Sequence, residues 1–191
     1  MSASLPPSYF DALYDSDPDP WQFETSLYER AKYDATLAGL PSPHYARALE
    51  IGCSIGVLTE RLALRCGALV AVDPATKALE AARRRCRQLG HIAFVEAGVP
   101  DFWPAGRFDL ILLSEVVYYL SVEDVRRLAR QVADSIDTGG HIALVHWIGA
   151  TDYPLSGDEA SALFLSALGD RVEPVRQERA EAYRLDVLRA R

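Results

Sequence analysis

From Arg47 onward, short apolar runs alternate with amphipathic stretches, the pattern of a parallel sheet wound with crossover helices. A strand covered on both faces reads as a near-continuous apolar run, whereas the helix packed against it shows a one-sided stripe. Residues 46–51, 68–72, 92–96, 108–113 and 141–147 are such runs. The first leads through Gly52 and Gly56 into a helix that Gly67 is expected to close. Beyond the second, Ala75, Ala78, Leu79, Ala82, Cys86 and Leu89 fall on one helical face. The opposite face carries Lys77, Glu80, Arg83, Arg84, Arg85 and Arg87, read as a solvated outer surface rather than a phosphate site. About a dozen residues separate the third and fourth runs, so a crossover helix there is short or missing. Ser121 and Asp124 form a capping pair for a helix striped by Val122, Val125, Leu128, Val132 and Ile136, with Gly139-Gly140 as its expected end. A last helix covers about 158–168, and two alternating segments, 171–179 and 183–188, read as a terminal hairpin. The expected class is α/β: a seven-stranded, mostly parallel sheet that ends in an antiparallel hairpin.

At 191 residues the chain suits one domain, divided here into an N-terminal arm, 1–40, and the sheet domain, 41–191. The arm sets Tyr9, Phe10, Tyr14, Trp21, Phe23, Tyr28 and Tyr33 among Asp11, Asp15, Asp17 and Asp19. It holds one or two helices, with Ser26 and Glu29 capping the second and Gly39-Leu40-Pro41 ending it. Such an arm is either a lid over a ligand or a helix patching the sheet; aromatic content and position favour the lid. The net charge of −7 gives no field to draw nucleic acid or an anionic membrane. Cys53, Cys66 and Cys86 fit neither a disulfide framework nor a zinc motif, the first residues carry no export pattern, and no apolar run is long enough to span a bilayer. A cytoplasmic protein without a metal site is expected.

In an open parallel sheet, ligands bind beyond the carboxyl ends of the strands where the strand order reverses. The first strand ends in Glu50-Ile51-Gly52-Cys53-Ser54-Ile55-Gly56, where glycines permit close backbone approach and a helix N-terminus follows. The second ends at Asp73-Pro74, with the acid about twenty residues beyond Gly52 and suited to two ribose hydroxyls. Together they indicate an adenosine-type ligand. The glycines do not follow the GxGxxG pattern, and no Tyr-x-x-x-Lys pair is present, which disfavours a dinucleotide-dependent oxidoreductase.

The Glu50-x-Gly52-x-x-x-Gly56 spacing resembles motif I of class I S-adenosylmethionine-dependent methyltransferases, whose Rossmann-like sheet also ends in an antiparallel hairpin. Several segments are similar to the nodulation protein S family. They are Asp17-Pro18-Asp19-Pro20-Trp21, Tyr28-Glu29-Arg30, the turn from Glu50 to Glu60, Ser114-Glu115-Val116-Val117-Tyr118-Tyr119-Leu120, His146-Trp147 and Asp152-Tyr153-Pro154-Leu155-Ser156-Gly157-Asp158-Glu159. The resemblance implies a cofactor site made of Glu50, Gly52, Cys53, Ser54, Gly56, Asp73, Pro74, Gly98, Val99 and Ser114, covered by Trp21 and Arg30, with Arg30 or Lys32 meeting the cofactor carboxylate. At the position after the third strand, where an acid usually holds the adenine amino group, Gly98 stands instead; the Val99 amide is left for adenine, with Asp101 as a substitute acid.

It implies N-methylation of an amino sugar or chitooligosaccharide-like acceptor, yielding S-adenosylhomocysteine. For an amine, which has to lose a proton before attack, Glu115 is the first candidate to attract the ammonium, with Tyr118 or Tyr119 as orienting hydroxyl and His146 as base. Tyr118 and Tyr119 are adjacent, so one is expected to face the site and the other the core. The arm's aspartates favour a cationic or hydroxyl-rich acceptor. O-methylation of a sugar or small natural product is the runner-up, and a dinucleotide-dependent oxidoreductase or a non-catalytic cofactor-binding protein stands further off; a monomer or homodimer is expected.

Overall fold

A computed structural model describes residues 3–191. One sheet runs through the molecule in the order β3-β2-β1-β4-β5-β7-β6. Its strands are β1 (Tyr45–Ile51), β2 (Cys66–Asp73), β3 (Ile92–Glu96), β4 (Phe108–Ser114), β5 (Ile136–Trp147), β6 (Val172–Arg179) and β7 (Tyr183–Ala190). The first five are parallel, and β7 inserts antiparallel between β5 and β6. The apolar runs that mark β1 and β4 are the centre of the sheet, and Leu110, Ile111, Leu112 and Leu113 are fully buried because helices cover both faces. The helices are α1 (Pro7–Ser16), α2 (Leu27–Gly39), α3 (Val57–Ala63), α4 (Thr76–Arg85), α5 (Val122–Ser135) and α6 (Gly157–Leu168). No helix joins β3 to β4, in keeping with the short spacing there. None of the described helices is long and apolar enough to cross a membrane.

Two expected helix ends lie elsewhere. Helix α3 stops at Ala63, and Gly67 belongs to β2. Helix α5 stops at Ser135, and Ile136 starts β5 rather than completing the helical stripe. Gly139 and Gly140 are needed inside that strand: Gly139 has φ +79°, and a Cβ on Gly140 would meet Asp137 O at 2.9 Å. The ladder to β4 slips its register just there, between Phe108 and Leu110, so the glycine pair serves an irregular strand opening rather than a cap. By contrast, the serine caps form as read: Ser26, Ser121 and Ser156 accept from the backbone N–H groups of Glu29, Asp124 and Glu159.

The N-terminal arm uses its two helices differently. Helix α2 patches the sheet, with Tyr33 and Leu40 sharing an apolar cluster with Tyr45, Leu58, Leu185 and Val187. Helix α1 and the segment after it pack Tyr14, Phe10, Trp21 and Phe23 against Ile55, Ala75 and Ala78, over the carboxyl edge of the sheet. The chain ahead of α1 is tied down by Leu5 N donating to Tyr119 O and by the Ser4 hydroxyl donating to Asp124.

Candidate active site at the carboxyl edge of the sheet

Strand β1 pairs with β2 on one side and β4 on the other, so the strand order reverses at its end. A cavity of about 510 Å³ opens there, under the roof formed by Pro7, Phe10, Tyr14, Trp21 and Phe23. Its floor brings together Glu50, Gly52, Cys53, Ser54, Asp73, Pro74, Gly98, Val99, Ser114, Glu115 and Tyr119. Gly56 supports the turn from behind without lining the cavity. Arg30 is exposed and lines neither this cavity nor its neighbour, so its expected cover over the cofactor is not formed.

The turn after β1 requires glycine at its first position. Gly52 sits at φ +80°, and a Cβ there would lie 2.3 Å from Val116 Cγ2 and 3.0 Å from Ser114 O. The left-handed backbone and the close approach of the segment after β4 both call for glycine. Ser54, at φ +49°, turns its N–H toward Asp73 Oδ2 at 2.8 Å, while Ala75 N donates to Asp73 Oδ1 at 2.9 Å. Asp73 thus holds the turn ahead of α4 and braces the glycine turn at once. Burial pushes its carboxyl up to about 6 against the pull of these two N–H groups. Glu50 is fully buried with Oε2 unpartnered, and burial pushes it up to about 7. The Cys53 thiol, also buried, is raised well above its ordinary value, which leaves it unreactive.

A second cavity, of about 290 Å³, adjoins the first and shares Trp21, Phe23, Glu115 and Tyr119 with it. Its remaining lining includes Tyr28, Glu29, Lys32, Tyr118, Trp147, Thr151 and Tyr153. Tyr28 meets Trp147 edge-on at 5.5 Å, and Tyr118 stacks on Tyr153 at 5.1 Å. Glu115 stands between the cavities with its backbone at φ +57°, a left-handed conformation that costs a non-glycine residue about 1–3 kcal/mol and is held by its contacts. Its Oε2 accepts from the Tyr118 hydroxyl at 2.6 Å and from Trp147 N at 2.8 Å, and its Oε1 bonds to Lys32 Nζ. Burial works to raise the Glu115 carboxyl, but the Lys32 ammonium and the Tyr118 hydroxyl outweigh it and hold the group below its ordinary value.

Three expectations change on this side. Tyr118 and Tyr119 both reach a cavity, because they lie in a 3-10 turn, Val117–Tyr119, and not in a strand whose side chains alternate. His146 faces neither cavity: it is fully buried, its Nε2 accepts from Val117 N at 3.1 Å, and Nδ1 lies 3.5 Å from the Ser161 hydroxyl. Burial pushes it down to about 4, so it is a neutral brace for the turn after β4, with its lone pair engaged. Finally, none of Asp11, Asp15, Asp17 and Asp19 lines either cavity. Asp19 binds the N–H groups of Phe23 and Glu24, and Asp15 pairs with Lys77. The acidic character of the second cavity comes from Glu29 and Glu115. In the sequence, Glu29 stands out as a capping partner of Ser26 and within the Tyr28-Glu29-Arg30 segment, neither of which marks it as a site residue; its i, i+3 spacing to Lys32 is the local signal of a charged pair. Among the described residues, no group of three or more His, Cys, Asp or Glu could hold a metal ion.

The chain superposes on N-methyltransferase NodS from Bradyrhizobium japonicum WM9, solved in complex with S-adenosyl-L-homocysteine, with a TM-score of 0.81 at 24% identity over 96% of this chain and 97% of that one. The fold is therefore the Rossmann-like class I methyltransferase fold. In sequence, it is 34% identical over 126 residues to nodulation protein S of Rhizobium tropici, covering 65% of this chain and 53% of that protein. With nodulation protein S of Bradyrhizobium diazoefficiens it shares 39% identity over 103 residues, covering 53% of this chain and 49% of the relative. The chain thus spans about half the length of the curated relatives it matches. The profile of the nodulation protein S (NodS) family matches residues 13–139, well over half of the chain, and the protein belongs to that family.

Proposed function

We propose that the chain is an S-adenosylmethionine-dependent methyltransferase that N-methylates an amino group of an amino sugar or chitooligosaccharide-like acceptor, in the cytoplasm. The observation that carries the cofactor reading is the buried Glu50 Oε2, which has no protein partner, beside a glycine turn that a single Cβ would block. A buried, unpaired carboxylate oxygen calls for a donor, and the α-ammonium of the methionyl moiety is one. Asp73 keeps lone pairs free beyond its two backbone bonds, and the ribose hydroxyls would donate to them. At the adenine end, Gly98 offers no side chain, its Cα side packing toward Pro7 and Pro74, and Asp101 lines the cavity but is drawn away by Arg127 at 3.0 Å. Adenine would rest on Pro74 and Val99 with little polar help. Helix α1 and the segment after it supply the lid through Phe10, Tyr14, Trp21 and Phe23, while α2 patches the sheet.

The cofactor would supply an electrophilic methyl group on a sulfonium. The chain's part is to hold the acceptor nitrogen in line, about 3 Å from that carbon, and to exclude water with the aromatic roof. The NodS structure with S-adenosyl-L-homocysteine supports this reading of the inner cavity. Two carboxylates set among aromatic rings support an amine rather than an acid as acceptor. The test is incubation with S-adenosylmethionine and a panel of glucosamine oligomers, partly deacetylated chitin fragments, simple amines and their hydroxyl counterparts, read as a methyl mass shift. Methylation of the hydroxyl compounds alone would overturn the amine reading. Calorimetric binding of NAD without binding of S-adenosylhomocysteine would overturn the methyltransferase reading itself.

A further inference from the structure

Three ionisable groups meet in the second cavity, and they are unequally occupied. Lys32, almost fully buried on α2, places Nζ 2.9 Å from Glu29 Oε1 and in contact with Glu115 Oε1, and lies 5.1 Å from the centre of the Tyr28 ring. Glu115 is saturated by Lys32, the Tyr118 hydroxyl and Trp147 N. Glu29 is not: it is 7% exposed and lines the cavity, yet its Oε2 is buried without a hydrogen-bond partner. Two carboxylates around one ammonium leave one negative charge in excess. In a buried, aromatic-walled site that excess is unfavourable until a cation or a donor meets it.

We propose that Glu29 is the acceptor-side catalytic carboxylate: its free Oε2 receives the acceptor's ammonium and takes the proton that leaves before nitrogen attacks, while Lys32 and Glu115 act as positioning residues. This rests on the methyltransferase reading and adds the base to it. In the step, one N–H bond of the ammonium breaks, its electron pair staying on nitrogen and its proton passing to Glu29. That pair forms the C–N bond as the C–S pair returns to sulfur, which loses its positive charge. The product is a methylated ammonium, and Glu29 then gives its proton to water at the cavity mouth. The division of labour follows from the surroundings. Burial pushes the Glu29 carboxyl above its ordinary value, against Lys32 and the Tyr33 hydroxyl and with Glu115, whereas Glu115 itself is held low by Lys32. Of the two acids, Glu29 holds a proton more readily and has a vacant oxygen to receive it.

The test compares wild type with Glu29→Gln and Glu29→Asp. Calorimetry first measures S-adenosylhomocysteine affinity, then adds a glucosamine trimer to each loaded protein. Glu29→Gln is expected to keep S-adenosylhomocysteine affinity and to bind the trimer about tenfold more weakly, through loss of a charge-assisted hydrogen bond. In turnover with the trimer, its kcat is expected to fall about a hundredfold and the acid limb of the pH profile to disappear, whereas Glu29→Asp keeps the limb. Equal trimer affinity in wild type and Glu29→Gln, an unchanged kcat profile, or a loaded wild type that takes up no trimer would each overturn the assignment while leaving the cofactor site standing. A wild type that does not bind S-adenosylhomocysteine would overturn both.

Discussion

With Asp73 and Glu50 holding the cofactor as proposed, its affinity becomes a function of pH, with a sign and a size that follow from their surroundings. Both carboxyls are raised by burial, to about 6 and about 7, and both meet cofactor donors only as carboxylates. Below these values the free protein is protonated at one or both sites, and the cofactor has to displace the protons. Affinity is therefore complete above about pH 7 and is lost as pH falls through 7 and then 6. At pH 5, about a tenth of Asp73 and about a hundredth of Glu50 remain ionised, so affinity drops about a thousandfold, ~4 kcal/mol, relative to pH 8. S-adenosylhomocysteine suits the assay because its own ammonium stays charged throughout this range. Calorimetric titrations from pH 8 to pH 5, in buffers of different ionisation enthalpy, yield both affinity and proton release. Glu50→Gln is expected to bind more weakly at pH 8 but to lose only about tenfold on going to pH 5, the share that belongs to Asp73. The unliganded fold shows the opposite sign: its raised carboxyls hold more protons than the unfolded chain, so stability rises as pH falls from neutrality toward 6. An affinity that stays level from pH 8 to pH 5, or that strengthens, would refute the reasoning.

Other perturbations reach the same elements separately. Gly52→Ala places a methyl group 2.3 Å from Val116 Cγ2 at φ +80°; left-handed strain plus overpacking amount to about 2–4 kcal/mol, or about 5–15 °C in melting temperature. Val116→Ala in the same chain should return the steric share alone, and an unaltered melt in Gly52→Ala would contradict the close approach. Lys32→Met leaves Glu29 and Glu115 facing one another, which should cost about 3–5 kcal/mol in urea unfolding at pH 8 and less at pH 5, where protonation relieves the repulsion. Equal loss at both pH values would show that the cation acts only as packing. His146→Leu strands the Val117 N–H and should cost about 1–3 kcal/mol of stability, with the pH profile of turnover kept in shape. A lost acid limb in that variant would return His146 to the chemistry.

What could be read from the chain differed by range. Strands β1 and β4, at the centre of the sheet, announce themselves because a strand buried on both faces has no alternative to an apolar run, and the Asp73–Ser54 brace lies between two motifs already marked by their own residues. The errors at Gly67 and Gly139-Gly140 share a cause: glycine signals a backbone need, and the same residue serves a helix end or an irregular strand. On the acceptor side, the reading weakened because the site is assembled across the sequence. Glu29 and Lys32 acquire meaning only when α2 lies against the ends of β4 and β5, and nothing local marks that placement. The aspartates of the arm misled in the same way, since turn-forming acids and site-forming acids have the same composition.

Trp21 and Phe23 belong to the walls of both cavities. One pair of rings therefore closes the inner chamber and shapes the outer one, which makes the order of events a matter of carpentry. Because the outer chamber borrows these rings from the roof of the inner one, an acceptor seated against them blocks the way past the roof. Turnover should then follow a compulsory sequence, with the adenosine-bearing molecule first in and last out. In steady-state kinetics, S-adenosylhomocysteine should compete with S-adenosylmethionine, and the methylated product should be noncompetitive against the acceptor; a methylated product that competes with the acceptor would mean random order, with the rings closing independently of the inner chamber.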